Sequence, residues 1–226
     1  MPVVGVETPD DPSQEEPLSP NSTILLAPRS DAMQRLADAL EAELVPLPPV
    51  SDREDFEEWR DGVAAGRAVA HVIVAVWSEG EAPDPLLELD ESAWTRRLEG
   101  PFLLWNLALG AAAARCDDGG SIVALVQSPS ALDAAGFTPE AAIGDGVVAL
   151  IRSVAASEGP RGVRANAVTT PLRLVERATL APAPPLPGYP GRIDVEVAGA
   201  IRMLLSEDAC GLTGRVLAAD GGRTLT

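Results

Sequence analysis

Few side chains in this sequence have types and spacings suited to chemistry. The 226 residues include one histidine, His71, one tyrosine, Tyr189, and two cysteines, Cys116 and Cys210. All 17 basic residues are arginine, so no position can supply a lysine-dependent step. The two thiols are far apart, show no metal-ligand spacing and suit ordinary small residues of a reducing compartment. No metal site is expected. His71 stands near the start of the apolar run AHVIVAV, residues 70–76. A lone histidine there is more readily a solvated or hydrogen-bonded group than a catalyst. Glu140 could do acid–base work, but it lies two residues past Thr138 at an expected helix start. There a carboxylate is already favoured by the helix dipole.

The elements that must position these groups alternate between strand and helix. Thr138 to Ala167 reads as a helix and then a buried strand. Thr138 is placed to cap and Pro139 suits the first turn. Ile143, Val147, Ile151 and Val154 recur at helical spacing. Glu158-Gly159-Pro160 stops the helix, and VRANAV follows as a strand. Earlier, STILLA (22–27) is a strand, and Asp31 can cap a helix whose apolar face is Met33, Leu36, Ala37, Leu40 and Leu44. Ser51 and Glu54 form a capping-box pattern before Phe56, Trp59 and Val63. GGSIVALVQ is a further strand. Residues 101–115 are apolar nearly all round, and 191–205 are amphipathic. Gly144 and Gly146 within one helix suggest a close approach of another backbone.

The composition excludes several classes. A formal charge of −17 leaves no basic surface for nucleic acid or anionic membrane. The N-terminus has no signal-peptide pattern, no run is long enough to span a membrane, and a cytoplasmic protein is expected. Residues 1–21 carry five prolines, five acidic residues and no basic one, the composition of a mobile acidic tail. Residues 22–226 form the domain, and 171–192 form a proline-rich loop that holds Tyr189.

Several of these stretches together resemble the short-chain dehydrogenase/reductase family, in particular its 3-oxoacyl-ACP reductase-like members. The carriers are RANAV after the long helix, GGSIVALVQSPS before it, Trp94 ahead of the apolar helix, and SEDACGLTGRVLAADGG near the end. The resemblance spans about residues 22 to 223. It implies a Rossmann-like, doubly wound parallel sheet in three α/β/α layers. The interval between the first helix and the strand at His71 is short, and implies loss of about one strand–helix unit in the first half.

Laid on the family's motifs, the catalytic residues are missing. The asparagine, serine, tyrosine and lysine positions are held by Pro101, Gln127, Glu140 and Gly144, with Ser128 one residue from the serine position. The glycine-rich phosphate turn reads A-P-R-S-D-A-M-Q, with Pro28, Ala32 and Gln34 at motif positions. Pro28 has no N–H, Ala32 adds a Cβ, Gln34 a long side chain and Asp31 a carboxylate. Arg29 offers a cation without the backbone cradle. Trp77 stands where the family's next cofactor turn begins, and either fills vacated space or caps the sheet edge.

From these replacements the resemblance implies no bound cofactor and a pseudoenzyme-like form. The expectation is a non-catalytic subunit that pairs with an active dehydrogenase/reductase. Contacts would run through the helices at 101–115 and 138–158 or the 193–223 region, as a heterodimer or heterotetramer on an acyl-thioester, polyketide or aromatic-acid pathway. One alternative is a cofactor-independent enzyme with Glu140 or His71 as acid or base. Another is a homo-oligomeric ligand-binding protein.

Overall fold

Successive residues of each strand point to opposite faces of a sheet, and here both faces are apolar. Ile24, Leu26, Val72, Val74, Ile122 and Ala124 fall in one buried cluster, and Leu25, Ala27, Ile73, Ala75, Val123 and Leu125 in the other. A sheet buried on both faces is the mark of parallel strands joined by helical crossovers. The computed structural model describes residues 22–77, 82–129, 134–172, 186 and 192–223. The tail at 1–21, Tyr189 and most of the 171–192 loop lie outside the described residues.

The strands are β1 (Thr23–Ala27), β2 (Glu43–Pro46), β3 (Val69–Val74), β4 (Cys116–Gln127), β5 (Arg164–Thr170) and β6 (Val216–Ala218). They form one parallel sheet in the order β2-β1-β3-β4-β5-β6. Helix α1 (Asp31–Leu40) packs on one face with α6 (Ala198–Leu205). Helices α2 (Phe56–Ala64), α4 (Gly100–Arg115) and α5 (Thr138–Glu158) pack on the other. The expected Rossmann-like three-layer architecture is therefore observed. From β1 the chain runs outward through α1 to β2, then returns through α2 on the opposite face to β3. That reversal leaves a crevice at the carboxyl ends of β1 and β3. β2 is the edge strand, and the next described element after it leads straight to β3, consistent with the short interval in the sequence.

Several local expectations change. Ser30, not Asp31, caps α1: its hydroxyl accepts the Met33 N–H at 3.3 Å. The helix ends at Leu40, with Glu41 at φ 52°, so Leu44 belongs to β2 rather than to the helix face. The Ser51–Glu54 capping box does not form, because Ser51 Oγ donates to Asp52 at 2.8 Å and the first turn there is 3-10. Helix α5 takes in Thr138 and Pro139 as its first residues, and Phe137 precedes them without a side-chain cap. The α5 glycines are approached by side chains rather than backbone. A Cβ at Gly144 would lie 2.5 Å from Ser128 Oγ, and one at Gly146 would lie 2.5 Å from the Phe102 ring.

The retained sequence near the C-terminus has a structural cause. Asn166, fully buried on β5, donates to Leu212 O at 2.8 Å and accepts the Arg215 N–H at 3.0 Å. Thr213 Oγ1 accepts the Ala165 N–H, and Gly214, at φ 67°, donates to Ala165 O at 2.7 Å. These bonds steer the chain into β6. No helix among the described residues is long and apolar enough to cross a membrane.

Candidate functional site

A cavity of about 980 Å³ opens beside the carboxyl ends of β3 and β4. Its apolar lining includes Val76, Trp105, Val126 and Ile143. Pro101, Gln127 and Glu140 line it together, so three positions that are far apart in sequence meet in one place. Gly144 lies next door, against Ser128.

Pro101 explains the shape of the wall. It has no N–H for the carbonyl of Arg97 four residues earlier, so a regular α-helical bond cannot form there. The helix widens instead: after α3 (Glu91–Trp94) come five residues of π-helix, Thr95–Glu99, and Gly100 N–H bonds Thr95 O. Arg97 sits on this widened turn and is buried. π-Turns inside helices occur often at functional sites.

Arg97 holds Glu140. Its Nε donates to Oε1 at 3.0 Å, and Nη2 donates to Oε1 at 2.9 Å and to Oε2 at 3.0 Å. Nη1 donates to Asp84 at 2.9 Å. The two side chains of the Arg97–Glu140 pair are 2% and 11% exposed. Such a forked pair is strongly directional and repays the desolvation of both charges through its geometry. A general acid or base must exchange a proton with the ligand. Both Glu140 oxygens are engaged by the guanidinium, a structural duty that weighs against the alternative reading of Glu140 as an acid or base.

His71, in the alternative reading an acid or base, is disfavoured in that role by its place. It lies in the first half of β3, beside Asp117, Asp118 and Arg164 at the amino ends of the strands, away from the cavity. Burial, with a smaller contribution from the Arg164 charge, lowers its pKa below the usual histidine value. The sequence reading passed over Arg97. A signal was present: Trp94, Arg97, Leu98, Pro101 and Trp105 follow helical spacing, which puts an arginine in an apolar stripe.

Beside this cavity lies a second compartment of about 570 Å³, at the carboxyl ends of β1 and β2. Pro28, Pro46, Trp59 and Trp77 are among its lining residues, and Arg29 is the one charged side chain among the described residues that line it. Trp77 is 5% exposed and joins the core on the α1 face. It thus borders open space in addition to closing the sheet edge.

No family model matches the sequence. A curated protein, cis-4-hydroxycyclohexanecarboxylate dehydrogenase of Sinomonas cyclohexanicum, is 34% identical over 209 residues, covering 86% of this chain and 82% of that protein. Among solved structures, a short-chain dehydrogenase/reductase double mutant from Serratia marcescens superposes with a TM-score of 0.69. It is 19% identical and covers 92% of this chain and 99% of that one. A 3-ketoacyl-ACP reductase from Sinorhizobium meliloti 1021 gives 0.63 at 25% identity, covering 90% and 89%. The chain belongs to the short-chain dehydrogenase/reductase family. The curated relative is named for its own dehydrogenase activity, which overturns the expectation of a non-catalytic subunit supporting an active partner. The lineage is one of oxidoreductases.

The family implies a nicotinamide dinucleotide, whose phosphates would meet the β1–α1 turn. The residues there do not fit that group. Pro28 has no N–H, the Met33 N–H is taken by Ser30 Oγ, and the Gln34 N–H bonds Ser30 O at 2.9 Å. Asp31 adds a carboxylate in the first turn, where an anion would need donors.

Proposed function

We propose that the 980 Å³ cavity is the substrate site of this chain, and that it takes a compact ring-bearing carboxylic acid with a hydroxyl or oxo group. The observation that carries this reading is the 34% identity to a dehydrogenase of such an acid. The supporting chemistry is an apolar wall for the ring and a mixed charged rim, in which Arg53 and Arg96 stand beside Asp90 and Glu91 and are the cations a carboxylate would meet. Alcohol–carbonyl interconversion is the reaction class of the lineage. We place the protein in the cytoplasm.

A second reading is favoured by one pair of observations, the Arg97 clamp on Glu140 and the poor fit of the dinucleotide turn. It is a degenerate form of the family site, in which the acid binds and no hydride transfer follows.

Calorimetric titration with cis-4-hydroxycyclohexanecarboxylate and its 4-oxo counterpart tests the site, alongside turnover assays with both nicotinamide dinucleotides. Saturable binding weakened by Arg53→Ala and Arg96→Ala supports the substrate site. Turnover selects the first reading and its absence the second. No binding up to millimolar ligand removes both.

A further inference from the structure

The cavities of 980 Å³ and 570 Å³ adjoin at Val50, Val76 and Pro101, which line both. All three are half-buried, so the boundary is accessible apolar surface rather than packed core. On one side of it stand the rim charges Arg53, Arg96, Asp90 and Glu91, with the Arg97–Glu140 pair in the wall. On the other side Arg29, itself exposed, is the one charged side chain among the described lining residues. Pro28, Pro46, Pro48 and Pro49 line that side and have no N–H to donate. The Leu47 N–H donates to Ala27 O at 3.0 Å, and Trp59 Nε1 donates to Pro46 O at 2.9 Å. A polar group of a ligand seated against this wall would lose its water without gaining partners, a cost that an apolar group does not meet. Polarity therefore falls along the joined space, from the charged rim to the proline-lined end.

We propose that one elongated ligand occupies both compartments. Its carboxylate meets the cations of the rim, its ring lies in the first compartment, and an apolar arm opposite the carboxylate extends past Val76 into the second. The inference rests on the ring-acid reading and deepens it, naming the substrate class as ring acids that carry an apolar substituent. A single-ring acid fills only part of the two volumes together, and apolar wall left in water contributes nothing to affinity. The arm needs no hydrogen-bond partner. Its affinity comes from burial against Leu47, Trp59, Leu104 and the prolines.

The test uses the full chain and two probes, cyclohexanecarboxylate and trans-4-butylcyclohexanecarboxylate, titrated by calorimetry. Each buried methylene strengthens binding about fourfold, so the butyl acid should bind roughly tenfold more tightly or better after the cost of ordering its chain. Pro48 lines the second compartment and not the first. Pro48→Phe should therefore remove the advantage of the butyl acid and leave cyclohexanecarboxylate binding unchanged. Arg29→Ala should weaken neither acid; loss of binding there would put the carboxylate at the wrong end and overturn the proposal. In the wild-type protein, nuclear Overhauser contacts should run from the butyl methyl group to the Trp59 ring. Equal affinities of the two acids, a tightening that survives Pro48→Phe, or a butyl group without contact to Trp59 would each overturn the elongated ligand and leave the ring-acid reading standing. Binding of the butyl acid alone, with the Trp59 contact, supports the elongated ligand and overturns the single-ring reading. Binding of neither removes both. The Trp59 contact is observed on the wild-type protein, so it decides the matter if Pro48→Phe does not fold.

Discussion

Arg97 and Glu140 meet in a buried fork, three donor–acceptor contacts of 2.9–3.0 Å, where the family pattern would place a tyrosine at the head of α5. The pair ties the π-turn before α4 to the first turn of α5 across 43 residues of sequence. Breaking it from one side leaves a charge buried. Asp84 retains one contact to Arg97, so the loss is partial. Glu140→Leu should lower stability by about 3 kcal/mol, and Arg97→Met by a similar amount. The paired replacement, Arg97→Met with Glu140→Leu, should recover much of the loss. Chemical denaturation of the four proteins in a double-mutant cycle measures this. Additive losses would show that the two side chains do not depend on each other.

The contact between Gly146 and the Phe102 ring gives a second expectation. Helix propensity alone favours alanine over glycine by about 1 kcal/mol. A Cβ at Gly146 would lie 2.5 Å and 2.9 Å from two ring carbons, too close for a rigid aromatic group to tolerate unmoved. Gly146→Ala should therefore destabilise the protein, by about 1–3 kcal/mol. In a Phe102→Leu background the same substitution should be neutral or stabilising. The sign change is read directly from thermal or urea midpoints of the two pairs.

What the sequence revealed and what it concealed divide along a physical line. Strands such as Ile24–Ala27 and Ile122–Val126 are apolar on both faces, and the chain punctuation at Glu158–Pro160 is local, so both are visible in one dimension. RANAV and the closing TGRVLAADGG are legible because Asn166, Thr213 and Gly214 hold the β5–β6 edge, a structural duty that fixes residue types. The cavity was visible only as missing residues. On its wall stands Arg97, whose helical spacing was visible but whose partner, a carboxylate 43 positions away, no local pattern announces. The capping expectation at Asp31 failed by one residue, because Ser30 beside it could cap equally well, while at Ser51 no side-chain cap forms and the turn begins as 3-10. The inference of an accessory subunit failed for a different reason. Missing motif residues describe what a site lacks, and they carry no information about a partner.

The two thiols should differ sharply in reactivity. Cys210 is exposed, whereas Cys116 is buried at the start of β4 and its pKa is pushed up to about 12. Burial is the main cause, and the nearby Arg161 opposes it. Because the thiolate is the reactive species, one thiol should react rapidly with a disulfide reagent near pH 8. The second should react on unfolding. Rapid labelling of two equivalents in the native protein would show that the end of β4 opens readily.

His71 gives the stability of the fold a pH dependence of known sign. Its folded pKa is lowered from 6.5, by burial first and then by the positive charge of Arg164. The facing charges also include Asp117 and Asp118, which line the same hollow. Between the folded and unfolded values the unfolded chain binds a proton that the folded protein does not. Stability therefore rises with pH across that window. The contribution of His71 is complete above about pH 6.5 and is lost as pH falls through the folded value. The chain has one histidine, so no second imidazole confuses the measurement, although its 34 carboxylates add a background at lower pH. His71→Asn removes the titrating group and keeps a polar side chain. Urea midpoints of the wild-type protein should fall more steeply than those of the variant between about pH 7 and about pH 5. Parallel curves would mean that the imidazole reaches solvent freely, and that the amino ends of the strands are looser than their packing indicates.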